Sequence, residues 1–205
     1  MIKFENTEVI GWEHAIRGMR NPMNSWKKSD SEYDKKGLFI GPNDVDLMKR
    51  LRDAGSDHRK FLRMITVYVD ITAPLYWWKE FDTYKVGTVA NSCSTMHKIH
   101  AKEFTLEDFS LEHLISSNAA LIEKVIIRLN FAREKFIETK NKNWWWQMIQ
   151  LLPSSYNQKR TVMLNYEVLK NMYHARKNHK LDEWSKGFTE WIEGLSYAEL
   201  ITGGV

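Results

Sequence analysis

The chain has 205 residues, of which 43% are hydrophobic and 27% are charged, a balance typical of one globular domain. Its net charge of +4 comes without a block of Lys and Arg, so it suits small anionic ligands at least as readily as nucleic acid. A single cysteine, Cys93, excludes an intramolecular disulfide and a zinc site built on cysteines. We expect one cytoplasmic domain covering residues 1–205, with no membrane-spanning segment and no nucleic-acid partner.

The N-terminal part of the chain predicts short elements separated by turns. Residues 11–26 are punctuated by glycines and by a proline, which leaves their order of elements open. Arg17, Arg20 and His14 lie in this stretch. We interpret them as parts of a short solvated helix, and the alternative is that they face a ligand. Residues 27–41 are polar and punctuated, which predicts a loop.

Regular elements are predicted where apolar residues recur at helical or strand spacing. Residues 43–55 predict an amphipathic helix, capped by Asn43 or Asp44. Met64–Thr72 is rich in β-branched and aromatic residues, which predicts a strand. Further helices are predicted over residues 75–81, 104–140, 161–180 and 184–200, the second of them with a capping box at Thr105–Asp108.

The stretch from Leu152 to Trp184 carries polar residues where a packing helix should be apolar. At roughly 100° per residue, Asn165 and Arg176 fall in one stripe with Leu169 and Met172. Asn171 lies on the flank of that stripe. An amide and a guanidinium aligned with core-type side chains indicate a ligand site.

This stretch resembles the signature helix of the flavin-dependent thymidylate synthases (ThyX). In that family a Leu-Pro dipeptide is followed by an aromatic segment, an asparagine, and an arginine eleven positions after the asparagine. Leu152-Pro153, Asn165 and Arg176 match without a gap, and Asn171 corresponds to a second asparagine. Glu167 departs, because the family has an arginine there.

A second resemblance begins at Ala73-Pro74 and continues through a short aromatic helix. The family's Arg-His-Arg triplet corresponds to Thr83-Tyr84-Lys85, and the serine that follows it corresponds to Thr88. The family's Ser-x-Arg-Tyr segment corresponds to Cys93–Met96, or to Ser94–His97 with one residue inserted, and its arginine is missing either way. A further family arginine corresponds to Ile149. Lys and Thr cannot reproduce the paired donors with which arginine binds phosphate.

The resemblance implies an α+β, ThyX-like fold with long helices packed on a small, mostly antiparallel sheet. It also implies a homotetramer whose flavin and nucleotide sites lie between subunits. Nine tryptophans, several of them clustered at Trp77-Trp78 and Trp144–Trp146, favour core or subunit-interface positions and therefore also a homo-oligomer.

The activity implied is that of a divergent ThyX-like flavoenzyme: reductive methylation of a pyrimidine nucleotide such as dUMP. FAD would be the cofactor, with NADPH and methylenetetrahydrofolate as co-substrates. By resemblance, Arg176 is the catalytic and pyrimidine-binding residue; His58, Lys85, Thr88, Asn165 and Asn171 hold the flavin; and Ser94 and Thr95 lie near the nucleotide. The alternative is a non-catalytic ligand-binding or assembly protein that kept the fold and lost synthase activity.

Two other chemistries receive less support from the sequence. Cys93 is expected to be a small buried thiol, with nucleophilic attack on a pyrimidine as the alternative. His97 and His100 with Glu103 lack a convincing third metal-ligand spacing, so we expect no metal site.

Overall fold

The computed structural model describes residues 2–34 and 37–204. In chain order the helices and strands are β1 (Lys3–Ile10), α1 (Trp12–Arg20), β2 (Glu32–Asp34), β3 (Gly37–Phe39), α2 (Pro42–Asp53), β4 (Thr66–Pro74), α3 (Leu75–Phe81), β5 (Val89–Ser92), α4 (Ser116–Thr139), α5 (Lys142–Leu151), β6 (Asn157–Asn165), α6 (Tyr166–Arg176), α7 (Thr189–Glu193) and α8 (Glu199–Thr202). A π-turn covers Glu183–Phe188. Single 3-10 turns occur at Asn21–Met23, Trp26–Lys28 and Leu106–Asp108, and a longer 3-10 segment covers Arg59–Met64.

A four-stranded sheet has the strand order β1-β4-β6-β5, and β2 and β3 form a separate antiparallel hairpin with Tyr33 opposite Leu38. In β4 the buried residues alternate, from Val67 through Val69 and Ile71 to Ala73. This two-residue period is that of a strand with one face in the core. The predicted α+β class, with helices and a small antiparallel sheet, is confirmed.

The chain divides into two compact units. One comprises residues 1–3, 70–83 and 91–161, and its core includes Phe104, Phe109, Leu129 and Met148. The other comprises residues 4–69, 84–90 and 162–205, and α6 and the π-turn belong to it. Our expectation of a single domain over residues 1–205 stays a prediction.

The predicted helix over residues 161–180 is wrong in its first part. Residues 157–165 form β6, in which Val162 and Leu164 are fully buried while their neighbours are not. The helix α6 begins only at Tyr166, because the side chain of Asn165 caps it by accepting a hydrogen bond from the Val168 amide at 2.9 Å. It ends at Arg176.

Other boundaries also differ from the prediction. Ile115 is extended, so the helix expected over residues 104–140 begins only at Ser116; the predicted capping box is present but opens a single 3-10 turn. Helix α2 is capped by neither Asn43 nor Asp44. The carboxylate of Asp30 takes this role from outside the helix, accepting from the Asn43 amide at 2.9 Å and the Asp44 amide at 3.1 Å.

Within the expected loop at residues 27–41, the structure has the β2–β3 hairpin, and residues 35 and 36 lie outside the described residues. Gly37 at φ +123 accommodates the return of the chain. The last predicted helix is broken into the π-turn, α7 and α8. Its apolar positions are nevertheless correct, since Phe188, Ile192 and Leu195 are buried.

Two side chains lie in environments opposite to those expected. Cys93 is exposed rather than buried, because it directly follows β5, an edge strand whose residues are all exposed. Arg20 is buried rather than solvated, because its Nε donates to Asp44 at 2.6 Å. No helix of the described residues is long and apolar enough to cross a membrane.

Candidate functional site

Helix α6 carries the polar stripe that the sequence indicated. Leu169 and Met172 are fully buried and anchor the helix in its unit. Asn165 lies at the N-terminal end as the cap, and Arg176 is the last helical residue, half-buried. The two polar residues are therefore held at opposite ends of one fixed helix.

A short loop, residues 84–88, connects these two ends. The Nε of Arg176 donates to the Tyr84 hydroxyl at 2.8 Å, and the Thr88 hydroxyl donates to the Tyr84 carbonyl. Gly87 has φ +75, and a Cβ there would lie 2.9 Å from Nδ2 of Asn165. Only glycine fits both that conformation and that close approach. The loop thus contacts both ends of α6, with Tyr84 against Arg176 and Gly87 against Asn165.

Two aromatic rings fix the guanidinium of Arg176. Its central carbon lies 5.4 Å from the ring centroid of Tyr84 and 5.0 Å from that of Trp184. Trp184 is fully buried, so it forms a rigid base for the cation. A cation over an aromatic face is attracted to the negative face of the ring. The site therefore presents a positive, planar group in a fixed orientation.

Neither aromatic partner was identified as a site residue from the sequence. Tyr84 occupies the centre of the altered triplet Thr83-Tyr84-Lys85, and Trp184 opens the last amphipathic segment. The available signal was the altered triplet itself, in which a tyrosine stands where the resembled family has a histidine. Trp184 gave no such signal.

Glu167, which departs from the resembled pattern, forms an ion pair within the same unit. Nε of Arg59 lies 3.1 and 3.0 Å from the two carboxylate oxygens of Glu167. Glu167 is buried, and an ion pair satisfies its charge. The position where the resembled family has an arginine is thus negative here, and Glu167 is paired with Arg59 of the 3-10 segment Arg59–Met64.

The next turn of α6 carries Lys170, whose ammonium group is also buried. It donates to the carbonyl of Gly203 at 2.5 Å and to that of Gly204. Burial lowers the pKa of Lys170, and the positive charges of Arg59 and Arg52 lower it further. This face of α6 therefore holds the C-terminal segment and is separate from the Arg176 end.

The remaining predicted flavin residues of this unit are exposed. His58 precedes the turn Arg59–Met64, Lys85 lies in the 84–88 loop, and Asn171 lies on α6. Within the described residues, the contacts that unite Tyr84, Asn165 and Arg176 do not include these three side chains.

Ser94 and Thr95 belong to the other unit. The Ser94 hydroxyl accepts hydrogen bonds from the amides of Met96 at 3.2 Å and His97 at 2.8 Å, so it stabilises a local turn. Thr95 is half-buried. In the described part of the chain no group of three His, Cys, Asp or Glu side chains is arranged to hold a metal ion.

Comparison with known proteins finds similarity in structure alone. No protein-family model and no curated protein matches the chain. The structure is similar to a crystal structure of thymidylate synthase X (ThyX) from Helicobacter pylori with FAD and dUMP, with a TM-score of 0.74 over 98% of this chain and 97% of that one at 14% sequence identity. A second Helicobacter pylori ThyX structure, also complexed with FAD and dUMP, has a TM-score of 0.70 at 15% identity over the same shares. The ThyX-like fold is therefore confirmed.

Proposed function

We propose that this protein is a divergent flavin-dependent enzyme that binds FAD and a pyrimidine nucleotide such as dUMP. The reaction would be reductive methylation, or a related one-carbon modification, with NADPH and methylenetetrahydrofolate as co-substrates. The observation that carries the proposal is Arg176, held between Tyr84 and Trp184 at the end of α6. The fold shared with ThyX structures that contain FAD and dUMP supports it.

The geometry of Arg176 suits recognition of a pyrimidine carbonyl. Tyr84 accepts the Nε–H at 2.8 Å, which fixes the plane of the guanidinium, a group whose paired N–H donors match carbonyl and carboxylate oxygens. The half-buried position strengthens this charge relative to one in open water. Arg176 would bind the pyrimidine and stabilise negative charge that develops on its ring.

The residues proposed to hold FAD are His58, Lys85, Thr88, Asn165 and Asn171. The contact between Gly87 and Asn165 supports a shared role for the loop and the helix cap. Exposure leaves His58, Lys85 and Asn171 accessible to a ligand. Bound FAD would supply hydride chemistry, and the protein's part would be to bind and orient it. Ser94 and Thr95 are proposed to lie near the nucleotide.

A non-catalytic ligand-binding or assembly protein is the second candidate. The observation that favours it is the absence of the phosphate-directed arginines, together with Glu167, whose carboxylate is occupied by Arg59. Each charge-assisted hydrogen bond contributes on the order of 1.5 to 3 kcal/mol. We therefore expect dUMP to bind much more weakly than to an enzyme that has those arginines.

The deciding experiment is spectroscopic. The purified protein should show a flavin absorbance band, or acquire one after incubation with FAD and gel filtration. A bound flavin whose spectrum shifts on addition of dUMP, and whose reduction by NADPH is followed at the same band, supports the enzyme. A colourless protein that FAD does not reconstitute would exclude this function and leave the non-catalytic alternative.

A further inference from the structure

A cavity of about 250 Å³ lies within the N-terminal part of the chain, in the unit that contains residues 4–69. It is lined by residues of α1, of the segment after α1 and of the β2–β3 hairpin. None of the residues assigned to the Arg176 site lines it. We infer that this cavity binds a small aromatic monocarboxylate, with its carboxylate against Arg17 and Arg20 and its ring against Trp26.

Arg20 is the fixed cation of the cavity. It is only 4% exposed, its Nε donates to Asp44 at 2.6 Å, and its Nη1 donates to the Ser25 carbonyl at 3.2 Å. Its Nη2 finds no acceptor among the residues that the structure describes. Buried guanidinium groups normally have their donors satisfied. Nη2 is not among the buried atoms that lack a partner, so it is the donor that Arg20 offers to a ligand in the cavity that it lines.

The carboxylate behind Arg20 makes its orientation rigid. Asp44 also accepts from the hydroxyls of Ser29 at 2.6 Å and Ser31 at 2.7 Å. Burial raises the pKa of Asp44, but these hydroxyls and Arg20 outweigh that effect and hold it below 3.8. Asp44 is thus ionised at neutral pH and compensates one positive charge. The guanidinium is pre-organised, which reduces the entropy lost on binding.

Arg17 supplies the second cation, one helical turn before Arg20 on the same face of α1. Its Nη2 lies 3.1 Å from Nδ1 of His14, and the residue is exposed. Both arginines line the cavity. Two guanidinium groups on adjacent turns suit the two oxygens of one carboxylate.

Trp26 provides the aromatic wall. Its Nε1 donates to Oδ1 of Asn21 at 2.8 Å, which fixes the indole, while 49% of the residue stays exposed. A large aromatic side chain held in place and still half accessible is suited to stacking on a planar ligand. Ile16 and Leu38 complete an apolar lining next to it.

Size and charge restrict the ligand further. The volume lies below the range of about 300–1,000 Å³ that is usual for drug-sized ligands, so one ring with a small substituent fits best. Glu13 and Glu32 also line the cavity and, with Asp44, offset the charges of Arg17 and Arg20. The site therefore offers directed guanidinium donors rather than a positive net charge, and it would repel a dianion such as a phosphate monoester more strongly than a carboxylate. A monoanion is therefore favoured over a phosphate.

Titrations with benzoate and 4-hydroxybenzoate test the inference, followed by calorimetry or by NMR of the isotope-labelled full-length protein. We expect saturable binding with a Kd of about 1 mM or tighter. Benzamide, which has the same shape without the charge, and phenyl phosphate should each bind at least tenfold more weakly. Failure of both carboxylates to saturate, or equal binding of phenyl phosphate, would overturn the inference.

Variants identify the binding site. Arg17→Ala should weaken benzoate at least tenfold, whereas Arg63→Ala, which removes an exposed arginine that does not line the cavity, should leave it unchanged. Trp26→Leu should weaken it several-fold, with the exposed Trp146→Leu as its control. Thermal melts confirm that each variant is folded, and Arg17→Gln replaces Arg17→Ala if the latter is not. Equal effects of the site and control variants would refute the inference.

Discussion

Arg176 owes its orientation to side chains that are remote from it in the chain. Its own helix supplies the position, whereas Tyr84 supplies a hydrogen bond and Trp184 a buried ring. The spacing of eleven residues from Asn165 was readable from the sequence because both residues lie at the ends of one helix. The two aromatic partners could not be predicted from the sequence, because contacts across more than ninety residues or around a turn leave no periodic pattern.

The first prediction concerns Arg176. Arg176→Ala removes two cation–π contacts of about 0.5–1 kcal/mol each and one hydrogen bond of about 1 kcal/mol, so unfolding should become about 2 kcal/mol easier. FAD or dUMP binding should fall by tenfold or more. Arg176→Lys should be nearly as damaging to binding, because an ammonium group cannot reproduce the planar fork.

Chemical denaturation and flavin titration on the same variants separate a binding role from a structural one. Lys177→Ala, the removal of the exposed neighbouring cation, is the matched control. If ligand affinity in the Arg176 variants falls only in proportion to stability, the assignment of Arg176 to a ligand site is refuted.

The second prediction concerns the buried ion pair of Asp44 and Arg20. Asp44→Ala leaves the guanidinium uncompensated and the hydroxyls of Ser29 and Ser31 without their acceptor, so it should destabilise the protein by about 3–5 kcal/mol. Asp46→Ala, which breaks the exposed pair with Arg50, should cost under about 1 kcal/mol.

The pH dependence of the Asp44 effect follows from its lowered pKa. The stabilisation is present above the unfolded pKa of 3.8 and is lost as pH falls through the lower folded value. The difference in unfolding free energy between wild type and Asp44→Ala should therefore shrink below about pH 4. A difference that stays constant down to pH 2 would contradict this account.

Both ends of helix α6 contact the 84–88 loop, and its middle turn anchors the C-terminal segment. Lys170 holds the Gly203 and Gly204 carbonyls, and His174 lies one turn further on, its Nε2 3.3 Å from the lysine Nζ. Sequence reasoning identified the core positions of this helix but began it too early, within β6. Within β6 only Val162 and Leu164 are fully buried, and two alternating apolar positions are too few to distinguish a strand from a helix.

The third prediction concerns His174. Burial lowers its pKa below 6.5, and the charges of Lys170 and Lys177 lower it further. The unfolded chain therefore takes up the proton first as pH falls, and stability should decline as pH drops below 6.5 towards the folded value. In His174→Gln this part of the decline should be absent.

Denaturant midpoints measured between about pH 5 and pH 8 test this expectation. The exposed His97→Gln exchange controls for the loss of a histidine as such. An unchanged pH profile in His174→Gln would show that other groups cause the decline.

At the scale of the whole molecule, the fold could be predicted from the sequence, whereas the activity could not. Ungapped spacings around Pro74 and Asn165 were enough to indicate a ThyX-like α+β fold, because loop lengths and helix positions follow the architecture. Activity depends on individual side chains such as those at 83–85 and 149, which differ from the resembled pattern. A fold shared at 14% identity leaves those side chains free to change.

The fourth prediction is a homo-oligomer, with a homotetramer as the expected state. Helix α4 has 24 residues, yet among its described side chains only Ile126, Leu129 and Ala132 are buried. Apolar residues such as Ile127 and Phe131 remain exposed. Single exposed apolar residues are ordinary, but several on one helix indicate an interaction surface.

Sedimentation at micromolar concentration should show a species larger than a monomer. Ile127→Glu should shift it towards a smaller species, whereas Met23→Glu, at another exposed apolar residue, should not. A strictly monomeric wild type would contradict the prediction.

The π-turn at Glu183–Phe188 has a consequence for the divergence of this chain. A π-turn accommodates one residue more than an α-helical turn, and Trp184 and Phe188 within it are both fully buried with their rings 5.0 Å apart. Deleting one residue would rotate everything on one side by about 100°. Either Trp184 would leave the guanidinium of Arg176, or Phe188 would leave the core. The two buried rings therefore fix the length of this segment.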